Sequence, residues 1–174
     1  METPRPIVRL PSGPGHAFDW AARAALWCAY RVFRAWWFIA RPQHHGAVIA
    51  VWLDGRILMI RHSYRGRLSW PGGGVKQGED PAEAAIRELR EEMGFETSRE
   101  DLVFAARILE RWEYRYDHVS IFELKLTAPP ALALDGREVI GAAFMNPEDA
   151  LAEPLVPFVE SYLRQKRALP PRSG

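Results

Sequence analysis

Residues Gly73 to Phe95 read GGVKQGEDPAEAAIRELREEMGF and set Gly73, Glu79, Arg87, Glu88, Leu89, Glu91, Glu92, Gly94 and Phe95 at fixed separations. At average residue frequencies, nine such positions coincide by chance on the order of once in a billion starting points. Local chemistry makes the centre of this stretch a helix. Asp80 supplies a capping acceptor, Pro81 suits the first helical position, and Glu83 puts a carboxylate in the first turn. Gly94 supplies the matching stop, because glycine readily takes the left-handed conformation that closes a helix. The spacing predicts a helix over residues 81–93.

At about 100° per residue, Ala82, Ile86, Leu89 and Met93 share one stripe, whereas Glu88, Glu91 and Glu92 gather on a different face. Like charges four residues apart cost roughly 0.2–0.5 kcal/mol in an isolated helix, so something positive should offset Glu88 and Glu92. Arg87 reaches Glu91 one turn on and is best read as holding one carboxylate in place. A divalent cation is the natural partner for the others. Magnesium takes oxygen ligands and binds through a few carboxylates plus the phosphates of its substrate. The preceding loop, Trp70 to Gly74, lets backbone groups approach a metal or phosphate without side-chain obstruction. Taken alone, a glutamate-rich helix face is most often just solvated; the glycine loop beside it turns the reading towards a metal–phosphate site.

The segment resembles the signature of the Nudix hydrolases: glycine, five residues, glutamate, seven residues, then Arg-Glu-apolar-x-Glu-Glu-x-Gly-apolar, matched here at every specified position. The resemblance implies an α/β fold with a mixed β-sheet sandwiched between α-helices. It also implies hydrolysis of the pyrophosphate linkage in a nucleoside diphosphate joined to another group, with Mg²⁺ or Mn²⁺. On this resemblance Glu88, Glu91 and Glu92 bind metal, joined by the carbonyl of Gly72, while Arg87 and Glu79 orient the cluster. Family members place the general base within the signature or on a glutamate just before a later strand. Glu138, directly ahead of the apolar run Val139 to Met145, sits in a similar place.

The chain has 174 residues, enough for one domain with a sizeable core, and a formal charge of +1. No global field advertises a nucleic acid polymer, so attraction to phosphate must be local. Cys28 has no internal partner, which excludes an intrachain disulfide and is compatible with a reducing compartment; a cytoplasmic location, at most peripheral at the inner membrane surface, is expected.

Four regions follow. Residues 1–17, rich in proline and glycine, read as a flexible arm, and residues 168–174 as a disordered tail. Residues 18–41 read as an added amphipathic helix, FDWAARAALWCAYRVFRAWWFIA followed by Arg41, on which Arg23, Arg31, Arg34 and Arg41 fall within about 80° of one another. Each central arginine would cost at least about 2.5 kcal/mol in a bilayer, so a membrane span is not expected, nor, without a small-residue cleavage site, is a secretory signal. The helix suits first packing on its own domain, where Trp20, Trp27, Trp36 and Trp37 would extend the core, then a homodimer interface, and last an anionic membrane surface.

Residues 44–167 form the expected catalytic domain. Apolar runs at 47–53 and 56–60 flank Asp54-Gly55, a pair suited to a tight hairpin; further strands are expected near 103–114, 118–127 and 139–145, with helices from Pro147 and from Val156 to Lys166. Arg61, His62, Tyr64, Arg65 and Arg67 precede the glycine loop, where arginines meet phosphate oxygens and Tyr64 stacks on a base; with the backbone of Gly73 and Gly74, Arg61, Tyr64, Arg65 and Arg67 are the expected substrate-binding residues. Trp112, Tyr114 and Tyr116 follow the signature, where family members select among substrates. The proline that marks many ADP-ribose hydrolases is absent near residue 111, the tyrosine spacing only approximates that of dinucleoside polyphosphate hydrolases, and no coenzyme A signature is found, so the leaving group stays open. His44 and His45 point to opposite faces of a strand and receive no chemistry. The other readings are a nucleotide-binding sensor module without turnover, against which the intact glutamate set argues, and a membrane-surface hydrolase of an amphipathic diphosphate.

Overall fold

Two long apolar strands anchor the molecule in the computed structural model, which describes residues 8–9, 16–134 and 136–168. β2 (Gln43–Leu53) and β3 (Arg56–His62) run antiparallel across the Asp54–Gly55 turn. β2 carries buried residues on both faces: Ala47, Ile49 and Val51 look one way, Val48 and Ala50 the other. A strand apolar on both sides must be covered on both sides, and this one is.

The sheet reads, from edge to edge, β1 (Val8–Arg9), β8 (Val139–Met145), β3, β2, β7 (Arg115–Leu126) and β6 (Leu102–Trp112). β2 and β7 are parallel and the other neighbours antiparallel, giving the mixed sheet expected. One face packs on α2 (Pro81–Met93) through Ala82, Ala85, Leu89 and Met93. The other is covered by α3 (Pro147–Leu151) and α4 (Pro157–Ala168), whose Val159, Tyr162 and Leu163 close a core around Trp70.

Three details differ from the sequence reading. Gly72 to Gly74 is not open loop: it forms β5 (Gly72–Gly74), paired antiparallel to β2, after a short β4 (Leu68–Ser69) on β3. β2 begins at Gln43 rather than Ala47, because His44 and His45 already pair in register with Asp117 and His118 of β7. The β6–β7 hairpin turns at Glu113 and Tyr114, both with positive φ (48° and 70°), although neither is glycine or asparagine.

The N-terminal helix α1 (His16–Ala40) lies apart from both core clusters. Its half-buried stripe is Asp19, Ala22, Arg23, Leu26, Tyr30, Arg34 and Trp37. Arg23 donates from both Nε and Nη2 to the Gly136 carbonyl (3.1 and 2.7 Å), Tyr30 bonds Glu113, and Phe38 meets Tyr114 edge-on at 5.0 Å. The expectation that the tryptophans extend the core fails for three of four: Trp20, Trp27 and Trp36 are exposed, and only Trp37 is half-buried. The reason is that Arg23 and Arg34, not those three tryptophans, face the domain. Of the expected arm, only residues 8–9 and 16–17 are described, and the expected tail lies outside the described residues beyond Ala168. Among the described residues no helix is long and apolar enough to cross a membrane.

Candidate active site

α2 starts and stops where its caps dictate. The Asp80 carboxylate accepts from the Ala82 amide at 2.8 Å, and the Gly94 amide closes the last turn on the Arg90 carbonyl at 3.0 Å. The helix is thereby fixed against β5. The register crowds two of the three glycines: a Cβ on Gly72 would lie 2.3 Å from the Ala47 carbonyl oxygen, and one on Gly73 would lie 2.6 Å from the Glu88 carboxyl carbon.

The carboxylates of α2 divide into two groups. Glu92 is buried. One of its oxygens accepts from the Gly72 amide at 3.0 Å and the other lies 3.2 Å from His62 Nε2. Glu138, just before β8, brings a third ligand atom: His62, Glu92 and Glu138 each offer one within 4.8 Å of the others. Tyr64 donates its hydroxyl to Glu138 at 2.7 Å, and burial pushes that phenol far above its ordinary pKa, so it stays a donor.

The second group is organised by Arg87. Its guanidinium forks onto Glu79 (2.9 and 3.1 Å), bonds Glu88 at 2.5 Å and the Gly74 carbonyl at 3.2 Å, and lies 3.6 Å from Glu91. The bond from Arg87, with the Lys76 amide, holds the Glu79 carboxyl down to about 2. Glu88 lines the cleft, whereas Glu91, 55% exposed, does not.

These groups border a cleft of about 350 Å³ walled by β5, Glu88, His62 and Glu138 on one side and by His44 with Asp117 on another, His44 Nδ1 lying 3.1 Å from Asp117 Oδ1. A larger cavity of about 850 Å³, between β6, β7 and α4, contains none of the signature carboxylates and has no comparable convergence of acids and glycine backbone. A hard divalent ion fits the cleft on the chemistry of its donor set, carboxylate oxygens with backbone close by, and on the cradle at Gly73 that a Cβ would fill.

The NUDIX domain family model matches residues 43–165. The chain belongs to the Nudix hydrolase family. Among curated proteins, a U8 snoRNA-decapping enzyme of Homalodisca vitripennis is 32% identical over 98 residues, covering 51% of this chain and 52% of that protein. An RNA pyrophosphohydrolase of Hydrogenovibrio crunogenus is 37% identical over 51 residues, covering 29% and 31%. The chain thus spans about half the length of the first relative and less of the second. Among solved structures, a C. elegans Ap4A hydrolase binary complex superposes with a TM-score of 0.61 at 24% identity, over 72% of this chain and 96% of that one.

Within this Nudix domain, most of the residues singled out from sequence converge. Gly72, Gly73, Gly74, Tyr64, Arg65, Glu88 and Glu138 line the cleft, Glu92 lies behind them, and Glu79 and Arg87 brace the side. Three do not line it, the exposed Glu91 and two arginines. Arg61 pairs on β3 with Leu68 and Gly141, and Arg67 bonds the Leu155 carbonyl from the neighbouring cavity. Tyr64 is engaged with Glu138 and its ring lies among His62, Tyr30 and Arg65, so it is not the open stacking surface expected. His62, His44 and Asp117 were missed. His62 had a signal: it continues the period-two face of Leu58 and Ile60, which packs on α2.

Proposed function

We propose that this protein is a metal-dependent hydrolase of the pyrophosphate linkage in a nucleoside diphosphate joined to another group. The observation that carries this reading is the buried Glu92 carboxylate, held between the Gly72 amide and His62 with Glu138 within reach. Burying an acid is costly unless it is bonded or paired, and this one sits where a hard cation would stabilise it further. Glu88 and Glu92, with the exposed Glu91 and the Gly72 carbonyl, would hold Mg²⁺ or Mn²⁺. Once bound, the ion would neutralise phosphate charge and acidify the attacking water.

The protein's own groups divide the remaining work. Arg87 and Glu79 keep Glu88 aimed into the cleft. Glu138 accepts the proton of the attacking water, with the Tyr64 hydroxyl fixing its orientation. Arg65 and the backbone of Gly73 and Gly74 take phosphate oxygens, an assignment that drops Arg61 to a structural strand residue. The test is metal-dependent phosphate release from a panel of nucleoside triphosphates, ADP-ribose, dinucleoside polyphosphates and nucleotide sugars. Glu92→Gln should lower turnover by at least about 10²-fold, as when an essential electrostatic element is removed. Unchanged turnover overturns its role.

A second reading concerns partners rather than chemistry. The outward face of α1 bears Ala21, Ala25, Cys28, Val32, Ala35 and Ile39 at alternating spacings of four and three, all exposed and none charged. That is the seam of a two-helix coiled coil. Because Arg23 and Arg34 turn towards the domain, the electrostatic case for an anionic membrane surface weakens and self-association at this face is favoured. Light scattering on the full chain should give a dimer that Val32→Asp dissociates; a monomer at all concentrations, or sedimentation with anionic vesicles, would point elsewhere. The location expected for such a protein is the cytoplasm.

A further inference from the structure

Beside the catalytic cleft lies a second hollow that the proposed chemistry does not use. It measures about 620 Å³ and lies between α1, the segment Tyr64 to Arg67 and the β6–β7 turn. Its walls carry four guanidinium groups, Arg31, Arg34, Arg65 and Arg67, against one carboxylate, Glu113, which already accepts the Tyr30 hydroxyl. Burial and the Glu113 carboxylate push that phenol up to about 12, so Tyr30 adds no negative charge at neutral pH. In a chain of net charge +1, this is a concentrated positive site.

The two hollows share a wall. Tyr64 and Arg65 border both. Arg65 lies over the rings of Tyr30 (5.5 Å) and Tyr64 (5.4 Å), which fixes its guanidinium at the boundary. From there Arg34 and Arg31, three residues apart on α1 and so on neighbouring positions of its surface, continue the row away from the glycine strand. Trp27 stands beside them, its ring 5.0 Å from the Arg31 guanidinium and partly open to solvent.

We infer that α1 completes the substrate site by supplying a subsite for an extended phosphate chain, and that the preferred substrates are nucleotides with more phosphates than a diphosphate. This inference rests on the hydrolase reading above for the position of the cut and adds what lies beyond it. Guanidinium groups pair with phosphate oxygens in a planar, bidentate manner, and successive arginines match a ligand whose charge repeats along its length. The scissile linkage lies against β5 and Glu88; the remaining phosphates pass Arg65 and reach Arg34 and Arg31. The Trp27 ring offers a stacking plane to a base at the far end of a dinucleoside polyphosphate.

The test compares two kinds of substrate in the full chain. Diadenosine tetraphosphate and adenosine 5′-tetraphosphate carry the long chain, with and without a second base, and ADP-ribose carries only a diphosphate. Three variants are used: the double replacement Arg31→Ala with Arg34→Ala, the single Arg31→Glu at an exposed position, and Trp27→Ala. KM for both tetraphosphates should rise by about 10-fold or more, with kcat within about two-fold, and the rise for ADP-ribose should be several times smaller. Trp27→Ala should raise KM for the dinucleotide more than for the mononucleotide. Equal changes for long and short substrates, or none, overturn the inference. Binding of inorganic tripolyphosphate without metal, followed by calorimetry, separates the two proposals. If the wild type hydrolyses none of the three substrates, the hydrolase reading has failed, yet loss of tripolyphosphate affinity in the variants would still support the subsite and undiminished affinity would refute it.

Discussion

Glu79 is kept ionised by two donors, the Arg87 guanidinium and the Lys76 amide, and its carboxyl lies at about 2 rather than 4.5. The sign follows from linkage: the folded state prefers the charged form, so the contribution is complete above the ordinary carboxylate range and disappears as the pH falls through the folded value. The gap in melting temperature between wild type and Glu79→Gln should therefore be widest near neutrality and close on acidification towards about pH 2. A gap independent of pH would mean that the pair adds nothing. Gly73 is a second residue-scale case. Gly73→Ala drives a methyl to 2.6 Å from the Glu88 carboxyl carbon, so either the carboxylate swings out of the cleft or β5 shifts. The expected outcome is a loss of turnover of about 10-fold or more with only a modest drop in melting temperature. Of the residues at this site, those within the signature were readable because their spacing is fixed by one helix and its caps. His44, His62 and Asp117 were harder to read, since their partners come from other strands: Glu92 is thirty residues from His62, and Asp117 meets His44 only through the β2–β7 register.

At the level of elements, helix α2 was the most legible part of the chain. Its bounds of 81–93 follow from Asp80, Pro81 and Gly94 alone, and the structure places the same bounds on it. Removing the cap in Asp80→Ala should cost about 1 kcal/mol in chemical denaturation, together with the exposed pair that Arg99 makes with Asp80. No change would mean that β5 alone positions the helix. Strand pairing was legible where a turn announces it, as at Asp54-Gly55, and obscure where it does not. Glu113 and Tyr114 adopt the left-handed turn that usually takes asparagine and glycine, and they are held there by tertiary partners, Tyr30 for one and Phe38 for the other. Local propensity could not reveal a turn stabilised from α1.

For the molecule as a whole, α1 stands outside the two cores. The cores on either side of the sheet include no residue of α1, which touches the domain mainly through polar and ring contacts at Asp19, Arg23, Tyr30 and Phe38. Few buried contacts imply a low local opening free energy. Limited trypsin digestion should cut within α1 first, after Arg31 or Arg34, since the Arg41–Pro42 bond resists trypsin, and the fragment beginning at Val32 or Ala35 should retain a melting temperature within a few degrees of the full chain. Simultaneous loss of both parts would show that α1 is integral to the fold. The facing of α1 was not readable because four arginines on one arc serve equally well to meet solvent, lipid headgroups or a backbone carbonyl. The Gly136 carbonyl, more than a hundred residues on, decides for Arg23.

The parallel pairing of β2 with β7, in register from Gln43 with Tyr116 to Leu53 with Leu126, joins chain segments separated by the entire signature helix and β6. Contacts so remote in sequence form late, since the intervening loop must close before any of them is gained. During synthesis, the N-terminal half would therefore emerge with an apolar strand awaiting a neighbour that has not yet been made. Nascent chains arrested before Leu126 should be protease-sensitive and bind chaperones, and protection should appear abruptly once β7 clears the ribosome.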